Sequence, residues 1–294
     1  MTRPDRGDAL PSAVVYRRVA IVTDSTASLP PEVAAQAGVI VVPQQLSVDQ
    51  QIGDEEDLPP ARLAAALRAG ADVRTAPPRA PAFFWAYQDA IAGGAEEIVS
   101  VHLSGQLSAT CEMARSAAGQ VRVPVHVVDS ASLGMSLGFA VLAAAETADR
   151  GADAAGVLGV VQHRLRRQRG LMYVETLEYL RRGGRIGAAR AWLGTALGIK
   201  PLLEIRDGAV APLERVRGDD RAIARLADLA RVHAGRQLVD VAVEHYDAPG
   251  PAMRLATRLR ASIPYPRAFY LSQISSVIGV HIGPGSVSVS VSPC

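Results

Sequence analysis

Lysine occurs once in this 294-residue sequence, at Lys200, and cysteine only twice, while aromatic residues make up 4%. So few aromatics argue against a stacking platform for single-stranded nucleic acid. Cys111 and Cys294 cannot form a disulfide framework for a chain of this size, nor do they have metal-ligand spacing. The 31 basic and 29 acidic side chains leave a net charge of +2, too balanced for electrostatic binding to nucleic acid or membrane by the chain as a whole. Residues 1–18 lack the apolar run of a secretory signal. Ala140–Ala145 lies in one of the longer apolar stretches, far short of the ~20 residues that span a bilayer. The expectation is a soluble, reducing, cytoplasmic protein.

Conventional enzyme signatures are missing as well. The sequence has no G-x-G-x-x-G, P-loop, H-E-x-x-H or C-x-x-C, and its six histidines are scattered. Neither a metal nor an organic cofactor is expected.

What the sequence does have is a core, with 49% hydrophobic and 20% charged residues. Residues 1–18 are polar and proline-bearing and read as a tail. Val19–Thr23, Val39–Val42, Ile98–His102 and Val123–Val128 are β-branched runs of strand length, alternating with helical stretches at Pro59–Ala69, Pro81–Ala92 and Ala109–Ala118. Ser28 before Pro30 and Pro31 reads as a helix start. That order predicts an α/β fold with a mainly parallel sheet. Leu133–Arg150 and Asp153–Arg169 read as two further helices, with Gly170 as C-cap and domain boundary.

Beyond Gly170 the pattern changes. Ile199–Ile205, Asp207-Gly208 and Ala209–Val216 read as a hairpin, and Ser286–Ser292 alternates as a half-buried strand. A second α/β domain with a mixed or antiparallel sheet follows, giving boundaries of 19–170 and 171–294.

Polar loops follow several strands. Asp24-Ser25-Thr26, Leu103–Thr110 and Asp129-Ser130 all fall where open α/β sheets bind ligands, although simple capping also accounts for each. Ser108 is placed at a helix N-cap. Arg181, Arg182 and Arg185 surround Gly183-Gly184 at a helix end, either complementing its dipole or forming a docking patch. His281 stands just before Gly283-Pro284-Gly285.

Together these segments resemble the DegV family of bacterial fatty-acid-binding proteins, from Val19 to about Val291. The resemblance is carried by Val19–Pro30, by Leu177–Ile186 with its Arg181-Arg182-Gly183-Gly184-Arg185 core, by Gly198–Pro201 and by Ile278–Gly285. It implies two α/β domains with a long-chain fatty acid buried between them. It also implies that the chain is a carrier without catalysis of its own, whose partner is a separate ATP-dependent fatty acid kinase that converts the bound carboxylate to an acyl phosphate. The residues matching the family's carboxylate-binding positions are Thr75, Ser108 with Ala109, and His281. Arg181, Arg182 and Arg185 are expected to form the partner or acyl-phosphate patch.

Two departures concern the head-group loops. Thr75-Ala76-Pro77-Pro78 replaces a family Thr-Ser-Gln-Pro, losing a hydroxyl and an amide, and Ala109 replaces a glycine. A positive φ at position 109 would strain alanine. Met135, Leu137 and Phe139, with Leu133, are candidates for the tunnel wall or for ordinary core.

Two other readings compete. One is a serine hydrolase or acyltransferase acting on acyl esters through Ser108 and His281. The other is a nucleic-acid regulator using Arg164–Arg169 and Arg181–Arg185.

Overall fold

The structure, a computed structural model, describes residues 17–194 and 198–294. Most of the expected tail lies outside the described residues. Its last two residues do not behave as a tail. Arg17 is buried, its guanidinium pairing with Asp149 and donating to the Gly38 carbonyl, and Arg18 pairs with Glu96.

Strands β1 (Val19–Asp24) and β2 (Val39–Val42) are followed by β3 (Gln45–Val48), β4 (Gln51–Asp54) and β5 (Val73–Ala76), then by β6 (Glu97–His102) and β7 (Val125–Asp129). Between and around them run α1 (Pro31–Gln36), α2 (Pro60–Arg68), α3 (Ala80–Ala92) and α4 (Thr110–Ala118). Four of these strands form a wholly parallel sheet in the order β2-β1-β6-β7. Chain order reverses around β1, so the crevice beyond the carboxyl ends of β1 and β6 is a topological switch point.

Helices α5 (Gly134–Asp149) and α6 (Ala154–Arg167) lead to the second large sheet. It is mixed, in the order β10-β9-β8-β13-β11-β12, where β8 is Arg169–Tyr173, β9 Ile199–Arg206, β10 Ala209–Arg217, β11 Val239–Tyr246, β12 Pro266–Gln273 and β13 Ser286–Pro293. Helices α7 (Glu178–Arg182), α8 (Asp219–Ala234), α9 (Pro249–Ser262) and α10 (Ser276–Ile282) complete the set. The expected hairpin forms as β9–β10, its Asp207 and Gly208 both at positive φ (51° and 81°), as a two-residue primed turn requires.

Helix α5 explains how the two large sheets join. It is apolar nearly all round, and it packs against β1 and β6 on one side and β8, β11 and β13 on the other. Met135, Leu137 and Phe139 are therefore fully buried core between the sheets rather than cavity wall. The approach is close enough that a Cβ at Gly138 would collide with the Ala27 carbonyl.

Several local expectations change. α6 is capped by Gln168, and Gly170 lies inside β8, paired with Ser290 of β13. Ser28 does not start a helix; it closes the short turn Ser25–Ala27 at φ 52°, and Pro30 precedes α1. Strand β13 is buried on both faces, not one, because α5 covers its serines and Ser136 donates to Ser290 at 2.9 Å.

The sequence reading also passes over a third sheet, β4-β3-β5, antiparallel throughout. Its tight turn is Asp49-Gln50, both at positive φ (47° and 71°) without a glycine to signal it. α10 is likewise unexpected. Its β-branched residues and internal Gly279 argue against a helix, but Gly279 is what lets α10 lie on the Tyr246 ring, which a Cβ would strike.

Candidate ligand-binding site

One apolar cluster draws on all parts of the chain: Leu46 and Leu63 near the small sheet, Met172 and Leu203 from the mixed sheet, and Val277, Ile278 and Ile282 from α10. Inside it lies a narrow cavity of about 60 Å³, partly open to solvent. Leu103, Leu107 and Leu133 line it from the parallel sheet's side, Met172 and Val210 from the mixed sheet, and Val277, Ile278 and Ile282 from α10. Its polar side chains are Thr26, Gln44, Thr75, Ser108, Arg185 and His281.

Each of these polar groups is delivered by a different element end. Thr75 is the penultimate residue of β5, Ser108 lies in the loop between β6 and α4, and His281 is in the last turn of α10. The loop bearing Ser108 is anchored by Ser104, whose hydroxyl donates to the Gly208 carbonyl in the β9–β10 turn at 2.7 Å. Asp129 accepts from Gly105 N and Ala131 N, so the Asp129-Ser130 loop closes backbone rather than lining the cavity.

Thr75 Oγ1 and His281 Nε2 are hydrogen-bonded at 2.8 Å. His281 Nδ1 is buried without a partner and seats against Gly183, where a Cβ would collide with it. Burial, and then the positive charge of Arg185, push the His281 pKa down to about 4, so the ring is neutral near pH 7.

Ser108 Oγ is 2.9 Å from Thr110 Oγ1, which receives Gln44 Nε2 at 3.0 Å. The same Nε2 donates to Asp24 Oδ1 at 3.0 Å. Burial alone would raise the Asp24 carboxyl, but the hydrogen bond and attraction of His102, together with hydrogen bonds from Thr26 and Gln44, hold its pKa below the ordinary value. His102 Nδ1 lies 2.9 Å from Asp24 Oδ2, and its Nε2 is 2.6 Å from Ser100 Oγ, which meets Tyr87 OH at 2.9 Å. Asp24, His102 and Ser100 have the order of a hydrolytic triad, yet all three are fully buried and Ser100 is covered by Tyr87.

Of the sequence-predicted residues, Thr75, Ser108 and His281 line one cavity. Ala109 is not among its lining residues; it caps α4 with φ −77°, so no left-handed strain arises and alanine fits. Ser108 thus stands one residue before the helix cap rather than on it.

The three arginines separate. Arg181 and Arg182 are exposed and both pair with Glu178, at 2.6 and 2.8 Å, on the outer side of α7. Arg185 turns inward to line the cavity, donating to the carbonyls of Leu107 at 3.0 Å and Gly183 at 2.7 Å. Lys200 lies apart, bridging Glu175 and Asp219. Cys111 is buried and its thiol is pushed up to about 12, mainly by burial, which leaves it unreactive.

Sequence reasoning misses Gln44, Thr110 and the inward turn of Arg185. Gln44 precedes a strand that the pattern does not reveal, and no local motif connects it to Thr110, 66 residues away.

For a nucleophile at Ser108 the arrangement lacks activation. Its hydroxyl meets Thr110, the His281 Nε2 is engaged by Thr75, and among the described residues no carboxylate orients His281 Nδ1. The geometry suits holding a molecule that is apolar along its length and polar at one end.

A cavity between a doubly wound parallel sheet and a mixed sheet, mainly apolar with polar groups from separate segments, is the form of site that suits an amphiphile. The chain belongs to the DegV family, whose model, described as an uncharacterised protein family, matches residues 18–293. It is 43% identical over 277 residues to a DegV domain-containing protein of Streptomyces coelicolor, covering 94% of this chain and 99% of that one. Among solved structures it is similar to a Thermus thermophilus DegV family protein described by its fatty acid binding (TM-score 0.90, 31% identity, 94% of this chain and 100% of that one). It is also similar to DegV of Bacillus subtilis, described as a fatty acid binding protein (TM-score 0.85, 27% identity, 95% and 100% covered).

Proposed function

We propose that this protein binds one long-chain fatty acid in the cavity, with the carboxylate at Thr75, Ser108 and His281. The observation that carries this reading is that those three side chains, brought from distant segments, line one mainly apolar cavity. A buried carboxylate left without partners costs several kcal/mol, and hydroxyl donors meet that need without a tight guanidinium pair enclosing the anion. The acyl chain supplies the bulk of the affinity, at about 0.8 kcal/mol per buried CH₂ before ordering costs. The fatty acid binding described for the Thermus and Bacillus relatives supports the same reading.

The protein then acts as a carrier between two α/β domains. A separate ATP-dependent kinase uses the loaded form, one carboxylate oxygen attacking the γ-phosphorus to give acyl phosphate and ADP. Arg185 at the cavity, with Arg181 and Arg182 on the exposed side of α7, forms the patch for the partner or the acyl phosphate.

The test is calorimetric titration of delipidated protein with a long-chain fatty acid. Ser108→Ala and Thr75→Ala should each weaken binding by about 1–3 kcal/mol, the scale of a hydrogen bond to a charged acceptor. Wild-type affinity in both variants would remove the carboxylate from this end of the cavity. Turnover of a chromogenic acyl ester that is lost in Ser108→Ala would favour a hydrolase instead.

A further inference from the structure

The hydrogen-bond directions behind the two cavity hydroxyls can be counted, and they converge. The Gln44 side-chain amide is 1% exposed and its nitrogen carries two hydrogens. That nitrogen is 3.0 Å from Asp24 Oδ1 and 3.0 Å from Thr110 Oγ1. Asp24 is a fully buried carboxylate, its Oδ2 already receiving Leu103 N at 3.1 Å and facing His102 Nδ1. It accepts and does not donate, so the amide must turn its nitrogen toward it. One hydrogen goes to Asp24 and the other to Thr110.

Thr110 Oγ1 therefore accepts from Gln44, and its own proton goes to another acceptor. Ser108 Oγ at 2.9 Å is the short option, the Gln44 oxygen being 3.5 Å away. Ser108 receives that proton, and its own hydrogen is left for the cavity.

The second hydroxyl is set in the same way. His281 Nδ1 is buried against Gly183 with no partner. A buried orphan N–H is rarer and costlier than an under-used acceptor, which assigns the ring proton to Nε2. Nε2–H donates to Thr75 Oγ1, and the Thr75 hydrogen is likewise left for the cavity.

We propose that Gln44 and Thr110, acting behind Ser108, and His281, acting behind Thr75, fix both hydroxyls as donors, so that the site selects a ligand end that only accepts: an ionised carboxylate over an alcohol or a protonated acid. A ligand hydroxyl would meet the same two donors without the negative charge that strengthens both bonds. Gln44 and Thr110 are positioning residues in this scheme. The inference rests on the fatty-acid reading and adds the specificity for the end group.

The experiment compares the affinities of delipidated protein for palmitic acid and for hexadecanol, which share a chain and differ at the end. Wild type should prefer the acid by at least about tenfold, the scale of one charge-assisted hydrogen bond. Thr110→Val keeps the shape and removes the relay. Acid affinity should fall about tenfold while alcohol affinity stays within about twofold. Thr110→Ser should restore the wild-type ratio, which a merely structural role for the side chain would not predict. Gln44→Met supplies an independent break in the relay. An unchanged acid-to-alcohol ratio in Thr110→Val and Gln44→Met would overturn the proposal while leaving fatty-acid binding intact. If neither variant folds, wild type decides: equal affinity for the two ligands overturns the proposal. Absence of saturable acid binding by wild type would instead remove the fatty-acid reading beneath it.

Discussion

Thr75 and His281 meet at 2.8 Å although 206 residues separate them in the chain. The contact joins the small antiparallel sheet to α10, and it exists only because Gly183, on a third segment, leaves room for the imidazole. Binding residues that depend on one another across such distances make specific predictions.

Gly183→Ala should be worse for the ligand than Gly184→Ala. A methyl group at position 183 collides with His281 Nδ1, whereas position 184 has open space and its demand is a positive φ of 71°. Titrations should find fatty-acid affinity reduced at least about tenfold in Gly183→Ala. Gly184→Ala should lower thermal stability by about 1 kcal/mol, with affinity nearly unchanged. Equal affinities in the two variants would separate His281 from the head group.

Arg185 and Arg181 should also part company. Arg185→Glu places a negative charge at the cavity beside His281 and should weaken fatty-acid binding at least about tenfold at low salt. Arg181→Glu, at an exposed pair with Glu178, should leave affinity within about threefold. In a reconstituted kinase assay Arg181→Glu then reports on partner association alone, read as a change in salt dependence.

These predictions show where the sequence was informative. Val19–Thr23, Ile98–His102 and the Asp207-Gly208 turn carry their own local signals, since β-branched runs pair as buried strands and Asp-Gly satisfies a primed turn. The Asp49-Gln50 turn has the same backbone without the glycine, and the small sheet stays hidden with it. Gly183-Gly184 reads as a helix break, which accounts for Gly184; the need at Gly183 comes from a ring brought in by tertiary packing. Thr75, Ser108 and His281 could be matched to a family pattern, whereas Gln44 and Thr110 act through partners that only folding brings together. The same holds for Arg185, whose direction relative to Arg181 and Arg182 is set by the carbonyls of Leu107 and Gly183.

Two buried groups give the stability profile opposing slopes. Glu244, fully buried and accepting from Met135 N, has its carboxyl pushed up from 4.5 to about 7, chiefly by burial. Between pH 4.5 and 7 the folded protein holds a proton that the unfolded chain has released, so stability falls as pH rises through that window. His281 is depressed from 6.5 to about 4, so the unfolded chain binds the extra proton and stability is lost as pH falls from 6.5 toward 4. Glu244→Gln should remove the first slope. Relative to wild type, denaturant unfolding should find the variant gaining on the order of 1–3 kcal/mol between pH 5 and pH 8. Parallel pH profiles for the two proteins would place the Glu244 titration elsewhere.

Occupancy of the cavity by a single fatty acid is read directly by native mass spectrometry of the purified protein. The account predicts one dominant species heavier than the polypeptide by the mass of one long-chain fatty acid, which converts to the bare mass on delipidation and returns on adding palmitate. It also predicts that Ser108→Ala with Thr75→Ala retains much less of that adduct. A wild-type spectrum at the bare polypeptide mass that stays there when delipidated protein is saturated with palmitate would contradict it.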